Sequence, residues 1–111
     1  MHTATFRDFI CNRGYDDFLP GVEARLRSQN VACDVHYAPE APVPTLRLRF
    51  ENKKAVYEVI LWESGDCEMQ VLDFTKEAFV FHKRERFSSP IAFLGGYGDP
   101  LRLLGDEKER A

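Results

Sequence analysis

Through the first thirty residues, apolar positions recur every three or four. Phe6, Phe9 and Ile10 share one side of a first helix. Thr3 or Thr5 can cap it, and Gly14 is placed to end it. Leu19, Val22 and Leu26 form the stripe of a second helix. Asp16 or Asp17 can cap that one, Pro20 is tolerated in its first turn, and Asn30 suits the left-handed position that stops it. From Val31 the period drops to two. Val31, Cys33, Val35 and Tyr37 alternate with polar neighbours, and Leu46, Leu48 and Phe50 alternate with Arg47 and Arg49. Residues 55–63, 66–74 and 77–86 continue as strands. The links are short (Asn52-Lys53-Lys54, Ser64-Gly65 and Phe74-Thr75-Lys76), which predicts antiparallel hairpins.

The pattern predicts an α+β fold, with N-terminal helices packed on one face of a four- to five-stranded antiparallel meander sheet. It reads as a single domain over 1–111: helical over 1–30, sheet over 31–87, and a C-terminal segment over 88–111. Two stretches interrupt it, Pro-rich Ala38–Pro44 and the flexible, glycine-rich Gly95–Pro100. Asp106 to Ala111 are charged and expected to fray.

The parity of each link assigns the two sheet faces. A two-residue turn at Ser64-Gly65, with three-residue links at 52–54 and 74–76, places Val56, Ile60, Trp62, Cys67, Met69, Val71, Phe79 and Phe81 beside Leu46, Leu48 and Phe50. Glu58 and Asp73 fall on that face too. The opposite face then carries Arg47, Arg49, Tyr57, Val59, Leu61, Glu68, Gln70, Leu72, Val80 and His82. So mixed a face calls for a cover. The C-terminal segment, with Ile91, Phe93, Leu101, Leu103 and Leu104, can cover part of it and a partner protein the rest.

Composition narrows the functional class. The 111 residues are 44 % apolar and 30 % charged with a net charge of −3, which suits a small acidic globular domain and disfavours a general nucleic-acid binder. No apolar run approaches the length of a membrane span. The N-terminus lacks the pattern of a signal peptide, and three scattered cysteines suit reduced thiols. A cytoplasmic location is expected.

Catalytic constellations are not apparent. Cys33 and His36 have ligand spacing, but no second pair follows, and on a strand they point to opposite faces. Cys67 reads as a core residue. His82 beside Lys83 and Arg84 has no nucleophile next to it. Glu63, Asp66 and Glu68 gather at a hairpin tip, where exposure would leave their acidity untuned. Gly95–Gly98 lacks the context of a phosphate loop. Neither enzyme activity, a cofactor nor a metal is expected.

The segment Val59-Ile60-Leu61-Trp62-Glu63-Ser64-Gly65-Asp66-Cys67-Glu68-Met69-Gln70-Val71-Leu72-Asp73 follows a Phe6-Arg7-Asp8-Phe9 helix. Together with Arg25–Val31 and Cys33-Asp34-Val35, it resembles the TriTu family of bacterial immunity proteins over roughly residues 5–87. The resemblance implies a protein that binds and blocks a cognate antibacterial toxin. That toxin is implied to be a Rhs-type C-terminal domain delivered by type VI secretion, an ADP-ribosyltransferase acting on elongation factor Tu. No catalytic residues carry over, and Gly95–Gly98 and the tail depart from the family pattern.

The expected partner surface is Tyr57, Val59, Leu61, Glu63, Asp66, Glu68 and Gln70. Binding is expected to be one-to-one, by a chain that is monomeric when free, with no nucleic-acid or membrane partner. The alternative is a small acidic secretion chaperone or adaptor, which predicts a homodimer holding an effector segment.

Overall fold

The computed structural model describes residues 5–104. Helix α1 spans Phe6–Cys11, a short 3-10 turn Gly14–Asp17, and α2 Leu19–Arg27. Five strands follow: β1 Ala32–Ala38, β2 Thr45–Glu51, β3 Ala55–Trp62, β4 Asp66–Asp73 and β5 Ala78–Arg86. Two short helices, α3 Pro90–Gly96 and α4 Pro100–Leu104, end the described chain. The strands pair antiparallel in sequence order, β1-β2-β3-β4-β5. The expected α+β meander is therefore present with five strands. Among the described residues no helix is long and apolar enough to cross a membrane.

Local chemistry explains the helix ends. The Thr5 hydroxyl accepts from the Asp8 N–H at 3.0 Å and caps α1. The alternative cap Thr3 and the tail Asp106–Ala111 lie outside the described residues. Gly14 does not end α1. Asn12 caps it, Arg13 takes the left-handed conformation, and Gly14 opens the 3-10 turn. Asp16 and Asp17 lie in that turn, so the N-cap of α2 is Phe18, with no side-chain cap. Asn30 is left-handed as expected, at φ 58°. Gly95 and Gly96, expected to be flexible, are helical, because Ser89 caps α3 and Pro90 starts it.

One sheet face holds the core. Leu46, Leu48 and Phe50 of β2 pair with Leu61, Val59 and Tyr57 of β3. Those in turn pair with Cys67, Met69 and Val71 of β4. All nine are buried in one cluster with Phe6, Phe9, Ile10, Tyr15, Leu26, Phe93, Tyr97 and Leu104. N-terminal and C-terminal helices therefore share this face.

The assignment of β3 is corrected. Tyr57, Val59 and Leu61 point into the core and are 0 % exposed. Ile60 and Trp62, expected in the core, point the other way. All three hairpin links differ from expectation by one residue, and two of them flank β3. Asn52 pairs with Ala55 through Asn52 N–H to Ala55 C=O, and its side-chain oxygen accepts from the Lys54 and Ala55 N–H groups. The connecting loop is then Lys53-Lys54, an Asx-type turn rather than three residues. At the next link, Gly65 N–H donates to Trp62 C=O and Gly65 lies at φ 91°. That makes Glu63-Ser64-Gly65 a three-residue loop with glycine at its left-handed position. Each one-residue slip inverts a face. Together the two beside β3 invert that strand alone and leave β2 and β4 as expected.

Strand β5 needs a second correction. The β4–β5 loop is residues 74–77, four rather than three, which places Phe79 opposite Leu72, and a bulge between the pairings to Val71 and Leu72 then brings Phe81 back opposite Val71. Phe81 stays with the core, whereas Phe79 turns to the other face and is 59 % exposed. Asp73 stays on the core face, where its carboxylate accepts the Lys76 N–H. Glu58 moves to the opposite face with the rest of its alternation.

Aromatic rings join the helices to the sheet. Phe93 contacts Phe9 and Phe87 edge-on and stacks on Tyr97 at 5.2 Å. Tyr97 stacks on Phe50 at 6.2 Å, and Phe50 on Tyr57 at 5.8 Å. The Tyr15 and Tyr97 hydroxyls share a hydrogen bond of 2.8 Å, and the Tyr57 hydroxyl donates to the Tyr97 carbonyl. Gly98 follows at φ 100°, and a Cβ there would sit 3.3 Å from the Tyr57 hydroxyl. The C-terminal segment thus does cover the Tyr57-Val59-Leu61 stripe, but as part of the core and without Ile91, which is 80 % exposed.

Burial raises the pKa of Tyr15, Tyr57 and Tyr97 above the usual value of 10.0. The folded state therefore favours the neutral phenols more than the unfolded state does. Stability is intact below the unfolded pKa and falls as pH rises above it. Alkaline titration followed by tyrosinate absorbance and far-UV circular dichroism should show both signals changing together above about pH 10. Full tyrosinate formation with native circular dichroism is the contrary result.

Candidate functional site

The second sheet face is open. Among the described residues no helix packs on it, and the strand register arranges its side chains in cross-strand rows. Glu51, Val56, Leu72 and Phe79 form a partly apolar row. Arg49, Glu58, Gln70 and His82 form the next, followed by Arg47, Ile60, Glu68 and Arg84. Trp62 pairs with Thr45, and Asp66 with Arg86, near the far end. Val56 is buried, yet it does not belong to the helix-side core cluster. Leu72 lies opposite it and Phe79 opposite Leu72, so the three form a small apolar row on the open side.

The charges on this face are mostly neutralised locally. Glu68 lies 3.4 Å from Arg84 and 3.8 Å from His82. Asp66 lies 3.4 Å from Arg86, and Arg49 is 2.9 Å from Glu51. Such exposed pairs add little stability, on the order of 0–1 kcal/mol each. Ion pairs at a surface can exchange partners without leaving a buried charge unpaired. Aromatic side chains ringed by charges are the usual composition of a protein-binding patch. Here Phe79 is the exposed anchor, with Trp62 and Ile60 half-buried.

The residues expected to contact a partner divide between the two sides. Asp66, Glu68 and Gln70 lie on the open face. Glu63 is in the β3–β4 loop, its N–H donating to the Pro44 carbonyl. Tyr57, Val59 and Leu61 are walled into the core. Sequence reasoning missed Ile60, Trp62 and Phe79 as outward residues. Asn52 ahead of Lys53-Lys54 and Gly65 as third loop residue were the available signals for β3. The fourth loop residue between β4 and β5, Glu77, which turns Phe79 outward, had none.

The Trp62–Asp66 motif has a structural explanation. Ser64 Oγ donates to the Asp66 carboxylate at 2.8 Å and accepts the Asp66 N–H. Gly65 accepts the Phe87 N–H through its carbonyl. A Cβ on Gly65 would meet the Phe87 carbonyl at 2.4 Å and the Phe6 ring at 2.9 Å. The glycine thus lets the hairpin tip lie between α1 and the residue after β5, and no reactive group is positioned there.

The cysteines are not poised as nucleophiles. Burial, followed by Glu85 and Glu68, pushes the Cys67 thiol up to about 12. Burial, followed by Glu23 and Asp34, does the same to Cys33. Both remain thiols at neutral pH and are poor nucleophiles. Cys33 faces the core and His36 the open side, so they cannot share a metal. Among the described residues no cluster of three His, Cys, Asp or Glu could hold a metal ion.

A family model described as Immunity protein TriTu matches residues 18–95. No curated protein matches the chain significantly. The matched stretch contains α2, all five strands and most of α3.

The facing of β3 is tested by adjacent substitutions. Leu61→Ala should lower unfolding free energy by about 2–5 kcal/mol. Ile60→Ala should cost about 1 kcal/mol or less. Urea denaturation measures both. A larger loss at Ile60 than at Leu61 contradicts the register.

Proposed function

The chain belongs to the TriTu family of immunity proteins, and from that premise we propose that it neutralises its cognate antibacterial toxin by docking its open sheet face on the toxin domain. The carrying observation is the open face itself. It bears an exposed Phe79, half-buried Ile60 and Trp62, and charges paired only at the surface. An immunity protein needs affinity rather than catalysis, and such a surface supplies anchors and a polar rim. Glu63, Asp66, Glu68 and Gln70 belong to the proposed contact. Tyr57, Val59 and Leu61 support it from behind as core.

The target we propose is an ADP-ribosyltransferase domain of the Rhs type, delivered by type VI secretion and acting on elongation factor Tu. The chain occludes its active site as a one-to-one complex in the cytoplasm and is monomeric when free. The likeness of the Trp62–Asp73 hairpin to the family supports this reading.

Co-expression tests it. The wild-type chain should restore growth to cells making the toxin domain encoded beside it, and light scattering should give a one-to-one complex. Phe79→Ala and Ile60→Asp should each weaken binding at least tenfold, about 1.4 kcal/mol, while leaving the chain folded. Absence of both rescue and co-purification contradicts toxin binding. A homodimer that holds only unfolded segments supports the chaperone alternative. Unchanged affinity in both variants contradicts the open face as the contact.

A further inference from the structure

Two clefts adjoin on the helix side of β5. One is about 310 Å³, the other about 390 Å³, and both are lined by Phe81, Arg102 and Leu103. They make a groove between the edge strand β5 and α4. Met69, Phe81 and Leu103 supply its apolar lining, and Lys76, Lys83 and Arg102 stand along it. Three cations and two carboxylates, Asp73 and Asp99, thus line this partly apolar groove.

The carboxylates in the same walls are already engaged. Asp73 accepts the Lys76 N–H at 2.9 Å, and Asp99 pairs with Arg25 at 2.9 Å. Lys83 lies 3.5 Å from Glu85. Among the described residues, Lys76 and Arg102 belong to no ion pair. Val80 is 43 % exposed at the mouth of the groove, where an apolar contact can begin.

We infer that this groove binds an extended protein segment that alternates acidic and apolar residues. Carboxylates would meet Lys76, Lys83 and Arg102, and the alternate side chains would cover Phe81 and Leu103. The apolar lining favours a peptide over a nucleic-acid backbone, whose phosphates need no such surface. Only the source of the segment, the toxin, rests on the proposed immunity role. The groove itself can be tested without the toxin.

The probe is a synthetic peptide of alternating glutamate and leucine, with a lysine–leucine peptide and a single-stranded oligonucleotide as comparisons. NMR titration of the full chain should shift resonances of Phe81, Lys83, Arg102 and Leu103 with the acidic peptide only. The Lys76→Glu/Arg102→Glu variant should bind it at least tenfold more weakly, and Arg27→Glu on α2 as well as wild type. No shift in the groove, equal binding by the lysine peptide or the oligonucleotide, or unchanged affinity in the double variant overturns the inference. So does binding that appears only after deletion of residues 105–111, which makes the chain's own acidic tail the occupant. Toxin binding that survives the double variant leaves the immunity role standing and removes the toxin as source of the segment.

Discussion

Tyr97 holds the two ends of the chain to one sheet face. Its hydroxyl meets Tyr15 from the N-terminal region at 2.8 Å, its carbonyl accepts the Tyr57 hydroxyl from the central strand, and its ring lies between Phe93 and Phe50. Aromatic pairs of this kind contribute about 0.5–1.5 kcal/mol each beyond burial. The hydroxyls give those rings defined partners, as buried polar groups require. Once Tyr57 is committed to Tyr97, the alternation of β3 is fixed. Val59 and Leu61 must face the helices, and Ile60 and Trp62 must face away.

That commitment separates structure from recognition. The helix side uses most of the aromatic content to pack helices on sheet, including Phe6, Phe9, Phe50, Phe93 and Tyr97. On the open face what remains is Phe79, Trp62 and Ile60 among surface ion pairs, while Ile91 and Phe18 are exposed outside the sheet. A face of this kind tolerates exposure because its apolar residues are interrupted by Arg47, Glu58, Glu68 and Arg84. Charged side chains at the outer end of β5, from Lys83 to Arg86, also discourage edge-to-edge association with another copy.

Much of this architecture was legible in the sequence. The switch from period 3.6 at Leu26 to period two at Val31 marked the boundary between helices and sheet. Short links marked the meander. The facing of β3 was not legible from alternation, because Val56, Ile60 and Trp62 are as apolar as Tyr57, Val59 and Leu61. Only the turns decide it, and both turns depend on one atom or one dihedral: the Asn52 side-chain oxygen and the positive φ of Gly65. The outward Phe79 depends on a four-residue β4–β5 loop with Glu77 in the left-handed conformation, which no residue pattern announced. The Trp62–Asp73 hairpin carried the family likeness, and it also sets where the open face ends.

The central claim is that the open face, with Trp62 near its end, meets the toxin. Trp62 is the sole tryptophan of the chain, so replacing it with fluorotryptophan gives one fluorine resonance on that face. Addition of the unlabelled toxin domain should shift this resonance and remove its sensitivity to exchange of water for heavy water. A stable complex in which the resonance and its solvent sensitivity stay as in the free chain would contradict the account.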